Sequence, residues 1–382
     1  MRLVLHGGFA EKGRTCVGIE VDGYRLLLDV GVKTSATGGG YYPAISAAAL
    51  RATDAIIITH AHEDHVGALG WCIAGGFRGR LFITPESQRE VLECLSGYGE
   101  PAHVELFRGY AIERLPLGNH ALQLGPLQIS TGRSGHVVGG LWCMIDDNAA
   151  RFLYCGDVVP ASPIFAMDPA PPSQAIAIDA SYGDDDVPAT ERAARVSQWI
   201  AARPGGCVLP TPLFGRSAEL LAVIPGPVAL APQMRDALRS QINDSGWLTA
   251  GAARLLAARL DAATDWRDGM PLPQAALLCH DGMGMAGPAR EILVAAEARE
   301  QPTLFTGHLP AGSPGDRMVA GGRADWLRLP THPTLTENLA LVAGSHATTV
   351  LGHSCEQPVL DRLQERMPSL RVDLATGDHI DI

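Results

Sequence analysis

The chain has no apolar run near the roughly 18 residues that span a bilayer. Its opening stretch, Met1-Arg-Leu-Val-Leu-His6-Gly-Gly, is too short in apolar residues for a signal peptide. No membrane partner is expected, and the cytoplasm is the expected compartment. The sequence also lacks any C-x-x-C pair. Cys16, Cys72, Cys94, Cys143, Cys155, Cys207, Cys279 and Cys355 stand apart, most of them in apolar strand-like runs. They read as reduced, buried thiols rather than as a disulfide framework or a zinc–thiolate site. Lysine is scarce: Lys12 and Lys33 are the only two, so the basic side chains are almost all arginine, the better bidentate partner of phosphate. A basic balance is missing too. The net charge of −11 argues against loose, charge-driven binding to nucleic acid, although bound divalent ions would add positive charge where a phosphate sits. Low-complexity tracts and internal repeats are absent. With 46% hydrophobic residues in 382, the chain can build a real core, in two domains or in one large domain with an insertion.

What is present concentrates in His60-Ala-His62-Glu-Asp64-His65. Four of these six residues are metal-ligand types, and they follow Ala55-Ile56-Ile57-Ile58, which reads as a buried strand. A loop held rigidly at its start can converge its side chains on one point. Imidazole with carboxylate suits zinc, or less specifically manganese and iron. The spacing suggests two ions, because His60 and His62 alternate onto one side while Asp64 and His65 can turn to another. Four further residues sit just after apolar strands: Asp29, His136, Asp157 and Asp179. Function in layered α/β folds gathers at such strand ends.

Residues 1–183 read as strands with short helices. Asp22-Gly23 signals a tight turn, Ser87–Leu95 a helix with Ser87 as N-cap, and Leu122–Ser130 a strand. Residues 184–325 change texture: helical stretches alternate with short apolar strands, which suggests a small parallel α/β domain. From 326 to 382 the pattern turns strand-like again, with His332 and His353 at strand ends. Gly282-Met-Gly284-Met-Ala-Gly287 fits a dinucleotide-type glycine pattern, but the next strand ends in Thr306-Gly307-His308 with no acid for a ribose. A phosphate cradle ahead of a helix is the better reading there, with tight packing as the alternative. Arg216 is a candidate phosphate contact.

Asp29, the His60/His62/Asp64/His65 loop, His136 and Asp157, in that order, resemble the four motifs of the metallo-β-lactamase superfamily. Asp179-Ala-Ser-Tyr-Gly183, Thr331-His332-Pro-Thr and Val350-Leu-Gly-His353 are similar to motifs A, B and C of its β-CASP nuclease branch, of the ribonuclease J and mRNA 3′-end-processing endonuclease type. The resemblance implies an αββα sandwich of two facing β-sheets with helices outside, interrupted by an inserted β-CASP domain. It implies two divalent ions, Zn2+ foremost. His60, His62 and His136 would hold one ion and Asp64, His65 and His353 the other, with Asp157 as bridge and Asp29 as an anchor behind the ligands. A histidine in motif C resembles the RNA-processing members rather than the DNA-repair ones. The sequence departs from the pattern after His332, where Pro333-Thr334 replaces the usual small-residue–Asp context. The insertion is short for the branch, and no additional C-terminal RNA-binding domain is expected.

The expected activity is hydrolysis of phosphodiester bonds in single-stranded RNA by a hydroxide bridging the two ions. His332, oriented by Asp179, is the expected general acid, and Asp64 is counted with them among the catalytic residues. A small-molecule metallo-hydrolase and a non-catalytic scaffold of the same fold are the alternatives. DNA is a less favoured substrate, and a homodimer is left open.

Overall fold

In the computed structural model, which describes residues 1–382, the first sheet holds β1 (Arg2–Gly7), β2 (Cys16–Val21), β3 (Tyr24–Leu28), β4 (Ala55–Ile57), β5 (Arg80–Ile83) and β6 (Glu113–Arg114) side by side. Asp22 and Gly23 take φ of 48° and 83°, the geometry with which a two-residue turn joins twisted antiparallel strands. From β3 onward the pairing is parallel, and each strand is followed by a crossover. A second sheet runs β7 (Gly118–Leu124), β8 (Leu127–Arg133), β9 (Leu141–Asp146), β10 (Arg151–Tyr154) and β11 (Ala175–Asp179). The stretch expected as one strand over Leu122–Ser130 is instead the turn of the β7–β8 hairpin, because Gly125 takes φ of 55° and reverses the chain.

The next six strands belong to a separate unit. They are β12 (Cys207–Pro210), β13 (Val228–Leu230), β14 (Thr264–Asp265), β15 (Ala276–Cys279), β16 (Leu304–Phe305) and β17 (Asp325–Trp326). All pair in parallel, in the order β12-β15-β13-β14 with β16-β17 beside them, and helices fill the connections. The chain then returns to the first unit. There β18 (Thr349–His353) and β19 (Leu370–Arg371) extend the second sheet beyond β11, and β20 (His379–Asp381) closes the first sheet against β1.

Every exposed-versus-buried alternation is lost in the central strands, since both faces are covered. Ile56, Leu81 and Ile83 share a core with the helices Leu69–Ala74, Pro85–Tyr98 and Pro101–Arg108. Leu153, Ile176 and Ile178 share another with Leu335, Leu360 and Leu363 of the helices Leu335–Ser345 and Gln357–Arg366. The alternate residues Ile57, Phe152 and Tyr154 are also buried. The Tyr154 hydroxyl reaches Asp29, just past β3 of the other sheet, at 2.8 Å. The two sheets therefore face each other with helices outside, the expected four layers.

Contacts divide the chain into residues 1–160, 167–186 and 332–382 on one side and 161–166 with 187–331 on the other. The expected boundaries at 183/184 and 325/326 fall a few residues short. Asp185 and Asp186 are tied to Leu335 and Thr336 of the first unit, while Leu329 bonds back to Thr306 of the second. Residues 161–166, read as part of the first domain, join the second because Phe165 bridges to Leu248 and Ala166 bonds to Trp247. The helix expected to start at Ser87 begins at Pro85, with Thr84 as its N-cap accepting the Ser87 amide. No helix is long and apolar enough to cross a membrane, and all eight cysteines are free, seven of them buried.

Candidate metal centre

The ligand loop is fastened by its backbone. Val30 N–H donates to the His65 carbonyl at 2.7 Å, Val32 N–H to Glu63 at 2.9 Å, and Thr15 N–H to Asp64 at 2.9 Å. The segment after β3 thus zips onto the loop after β4. The two approach so closely at Gly31 that a Cβ there would lie 1.7 Å from the Asp64 carbonyl oxygen, so glycine is required. His136 arrives from the other sheet on the loop between β8 and β9, Asp157 follows β10, and Asp179 ends β11.

His60 Nε2, His62 Nδ1, His136 Nε2 and an Asp157 oxygen converge within 4.8 Å of one another. His62 Nδ1 lies 3.2 Å from His60 Nε2 and 3.1 Å from His136 Nε2. Asp157 Oδ2 lies 3.8 Å from the first of these nitrogens and 3.7 Å from the second. Burial holds His60 and His136 well below the ordinary imidazole range, so both are neutral and present lone pairs. Lone pairs crowded around one point in a dry pocket repel unless a cation sits among them. The donor set of three imidazoles and one carboxylate is one zinc accepts. The residues therefore fit a divalent ion.

Behind this cradle stands Asp29, fully buried, with φ of 58°. Its Oδ1 accepts the Thr59 amide at 2.7 Å. Its Oδ2 accepts Thr59 Oγ1, His65 Nδ1 and Tyr154 Oη, each at 2.8 Å. Thr59 Oγ1 directs its hydrogen at Asp29, so its contact with His60 Nδ1 at 3.1 Å is one in which the imidazole donates. One carboxylate thus fixes both rings with hydrogen on Nδ1 and Nε2 directed inward, the arrangement that ligating histidines need. Asp29 carries its expected anchoring position. Thr59 and Tyr154 were not singled out from the sequence; a hydroxyl beside a ligand and one before Cys155-Gly-Asp157 have no telltale spacing.

The remaining residues gather less tightly. His65 Nε2 is 3.0 Å from Asp157 Oδ1 and 4.0 Å from Asp64 Oδ2, and its ring centre is 6.2 Å from that of His353. Burial alone would lower the His65 pKa, but the carboxylates of Asp157, Asp64 and Asp29 outweigh it and hold it well above the ordinary range. His353 is buried with Nε2 lacking any hydrogen-bond partner, while its Nδ1 meets Ser354 Oγ at 3.1 Å. Asp157 instead forms a second compact group with Asp179 and His332. His332 Nδ1 lies 2.8 Å from Asp179 Oδ2 and 3.5 Å from Asp157 Oδ2. Against burial, these two carboxylates raise its pKa above the usual value. Asp179 also accepts the Ser181 amide, and its backbone carbonyl accepts Asn338 Nδ2 at 2.8 Å. In the sheet, Asp179 is the register partner of His353.

The loop over Gly282–Gly287 departs from the cradle expected of it. Asp281 Oδ1 accepts the Met285 amide at 2.9 Å and the Ala286 amide at 3.3 Å, and the Ala289 amide goes to the His280 carbonyl. The Met285, Ala286 and Ala289 amides, which a bound phosphate would draw on, are filled from within. Arg216 donates to Thr331 Oγ1 at 3.0 Å and lies against Gly307 within the second unit.

Stripping divalent metal with a chelator is expected to lower the melting temperature by on the order of 5 °C, with recovery on adding zinc. An ion bound at about 100-fold its Kd contributes about 2.7 kcal/mol to the folded state. Differential scanning fluorimetry reads this directly, and an unchanged melting curve would count against bound metal.

Comparisons with known proteins agree with the geometry. The model of the metallo-beta-lactamase superfamily matches residues 11–201, half of the chain. Cleavage and polyadenylation specificity factor 73 of Drosophila melanogaster is 25% identical over 236 residues, covering 57% of this chain and 34% of its own. Transcription termination factor FttA of Lokiarchaeum is 23% identical over 379 residues, 85% of this chain and 59% of its own. Endoribonuclease ysh1 of Schizosaccharomyces pombe is 27% identical over 237 residues, 57% and 31%. The chain thus spans between about a third and three-fifths of the length of these relatives. A crystal structure of a protein of unknown function from Enterococcus faecalis V583 shares the fold along 99% of both chains, with a TM-score of 0.64 at 11% identity. With half its length matched to the family and the ligand cradle assembled from the motifs in order, the chain belongs to the metallo-β-lactamase superfamily, in the β-CASP branch that its later motifs resemble.

Proposed function

We propose that the chain is a metal-dependent phosphodiesterase that cuts single-stranded RNA and holds two divalent ions, zinc foremost. His60, His62 and His136 would hold one ion, Asp64, His65 and His353 the other, and Asp157 would stand between them. When bound, the ions would supply Lewis-acid activation of water and counter-charge for the phosphoryl oxygens. The observation that carries the reading is the Asp179–His332 pair at 2.8 Å, set directly beside Asp157 of the cradle.

With Nδ1 held by Asp179, His332 keeps Nε2 to deliver a proton to the departing oxygen of the cut strand. The carboxylates that raise its pKa keep that proton in place near neutrality. Asn338, bonded to the Asp179 carbonyl, and Tyr182, edge-on to the His332 ring at 5.1 Å, hold the pair in position. Asp64, 24% exposed at its side chain, is the most accessible carboxylate of the cradle. RNA as the substrate rests on the names of two relatives, an endoribonuclease and a polyadenylation cleavage factor, and on His353 in the third β-CASP motif. The eight free thiols support a reducing, cytoplasmic setting.

Purified, zinc-loaded protein is expected to cut 5′-labelled single-stranded RNA and to leave DNA of the same sequence largely intact on a denaturing gel. Intact RNA beside a working control nuclease would sink the proposal. His332→Ala is expected to lower kcat by roughly 10²–10⁴-fold with KM little changed, as loss of a general acid does. A matching rise in KM with kcat unchanged would assign His332 to binding. The net charge of −11 favours a second reading, a hydrolase of a small phosphodiester or ester. Turnover of bis-p-nitrophenyl phosphate without cleavage of any polynucleotide would select it.

A further inference from the structure

The second unit carries a groove that the proposed chemistry does not use. Along the helix Ala289–Ala298, Arg290, Leu293, Val294 and Glu297 fall on one face. That face and the helix Pro314–Ala320 enclose a cavity of about 300 Å³. Leu293 and Met318, 3% and 5% exposed, form its floor. Arg290, Arg317 and Arg323 stand around its mouth, all exposed. A second hollow continues past Arg290 and Val294 to Gly287.

Two properties set this groove apart. Val294 is 68% exposed, the highest value among the exposed large apolar side chains. An apolar side chain held open beside a hollow marks a contact surface more often than an isolated surface residue does. The charge is also inverted relative to the rest of the chain. Three guanidiniums face one carboxylate, Glu297, in a molecule of net charge −11, with Glu291 on the continuing rim. Glu297 is ion-paired to Arg323, and Arg317 donates to the Gly312 carbonyl. Arg290 is left at the mouth with no carboxylate engaged.

We propose that this groove docks an acidic peptide segment of a partner protein. An aliphatic side chain of the segment sits on Leu293, Val294 and Met318, and flanking carboxylates meet Arg290 and Arg317. Guanidinium pairs with carboxylate in a two-pronged geometry that an ammonium cannot match. The aliphatic floor favours a peptide over a nucleic acid strand. Single-stranded RNA sites lean on aromatic rings for base stacking, and no aromatic side chain lines the groove.

The test uses the full chain and fluorescence anisotropy with three labelled probes. They are a short peptide of Asp, Glu and Leu, its counterpart with Asn and Gln in place of the acids, and a single-stranded RNA of similar length. The acidic peptide is expected to bind saturably, more weakly at high salt. Arg290→Glu should weaken it roughly tenfold or more, and Val294→Ser several-fold. Both residues are exposed, so the variants should melt like the parent. Hydrogen exchange should slow over 289–298 and 314–323 when the peptide is added. The proposal is overturned if the amide peptide binds equally well, if Arg290→Glu changes nothing, if RNA displaces the peptide, or if no saturable binding occurs up to millimolar peptide.

Discussion

Replacing His62 by alanine is expected to reduce the proposed RNA cleavage by roughly 10³-fold or more, which at about 1.4 kcal/mol per decade is a loss of about 4 kcal/mol of transition-state stabilisation. His62 Nδ1 is the shared neighbour of His60 Nε2 and His136 Nε2, at 3.2 and 3.1 Å, so its loss opens the centre of the donor set. The remaining two imidazoles and Asp157 would hold an ion more weakly and without fixed geometry. The backbone of the loop does not depend on this side chain, because Val30, Val32 and Thr15 fasten residues 63–65 through main-chain bonds. The variant should therefore fold, and its bound metal, read by plasma emission on the desalted protein, should fall together with its activity. Full activity in His62→Ala would remove the metal-centred mechanism altogether. Full metal content with lost activity would instead assign His62 to substrate positioning.

The second large effect is on stability. Asp29→Ala is expected to cost about 3–5 kcal/mol and to lower the melting temperature by roughly 10 °C. Four donors would lose their acceptor in a fully buried site: the Thr59 amide, Thr59 Oγ1, His65 Nδ1 and Tyr154 Oη. No water can reach them there without opening the space between the sheets. The variant also releases the rings of His60 and His65 from their fixed tautomers, so metal affinity should fall by roughly 10–100-fold. Asp29→Asn separates the two effects. It keeps the volume and one acceptor oxygen, so it should lose less stability than alanine, but its amide donor faces groups that are themselves donors, so it should still bind metal poorly. Zinc titration and thermal melts on both variants measure this. Wild-type melting in Asp29→Ala would show that the buried network contributes little.

The ligand loop was legible because chemistry dense in sequence leaves a pattern: four ligand types in six residues after a buried strand. His136, Asp157 and Asp179 were legible only in combination, each being a polar residue at a strand end. Their common destination is set by the sheets, which bring loops far apart in sequence to one edge. Thr59 and Tyr154 were illegible for the opposite reason. A single hydroxyl has no spacing to betray it, and its role exists only once Asp29 arrives from another strand. The alternation of helices and strands over 184–325 marked a parallel domain correctly in kind, yet its edges slid. The residues that decide them, Asp186 to Thr336 and Phe165 to Leu248, pair across long distances. The glycine loop misled because its amides can serve an external anion or an internal one, and Asp281 is close enough to take the place.

Asp179 and His332 bracket residues 187–331, the main stretch of the second unit: β11 ends in the first, and the return segment begins with the second. Their 2.8 Å contact, together with Asp185 to Leu335 and Asp186 to Thr336, makes the exit and the re-entry of the polypeptide a closed loop. Once such a loop is closed, doubling its length costs only about 0.6 kcal/mol of chain entropy. The fastening decouples what lies between from the scaffold that carries the metal ligands. Long and short insertions can hang from the same clasp at nearly equal cost to the host.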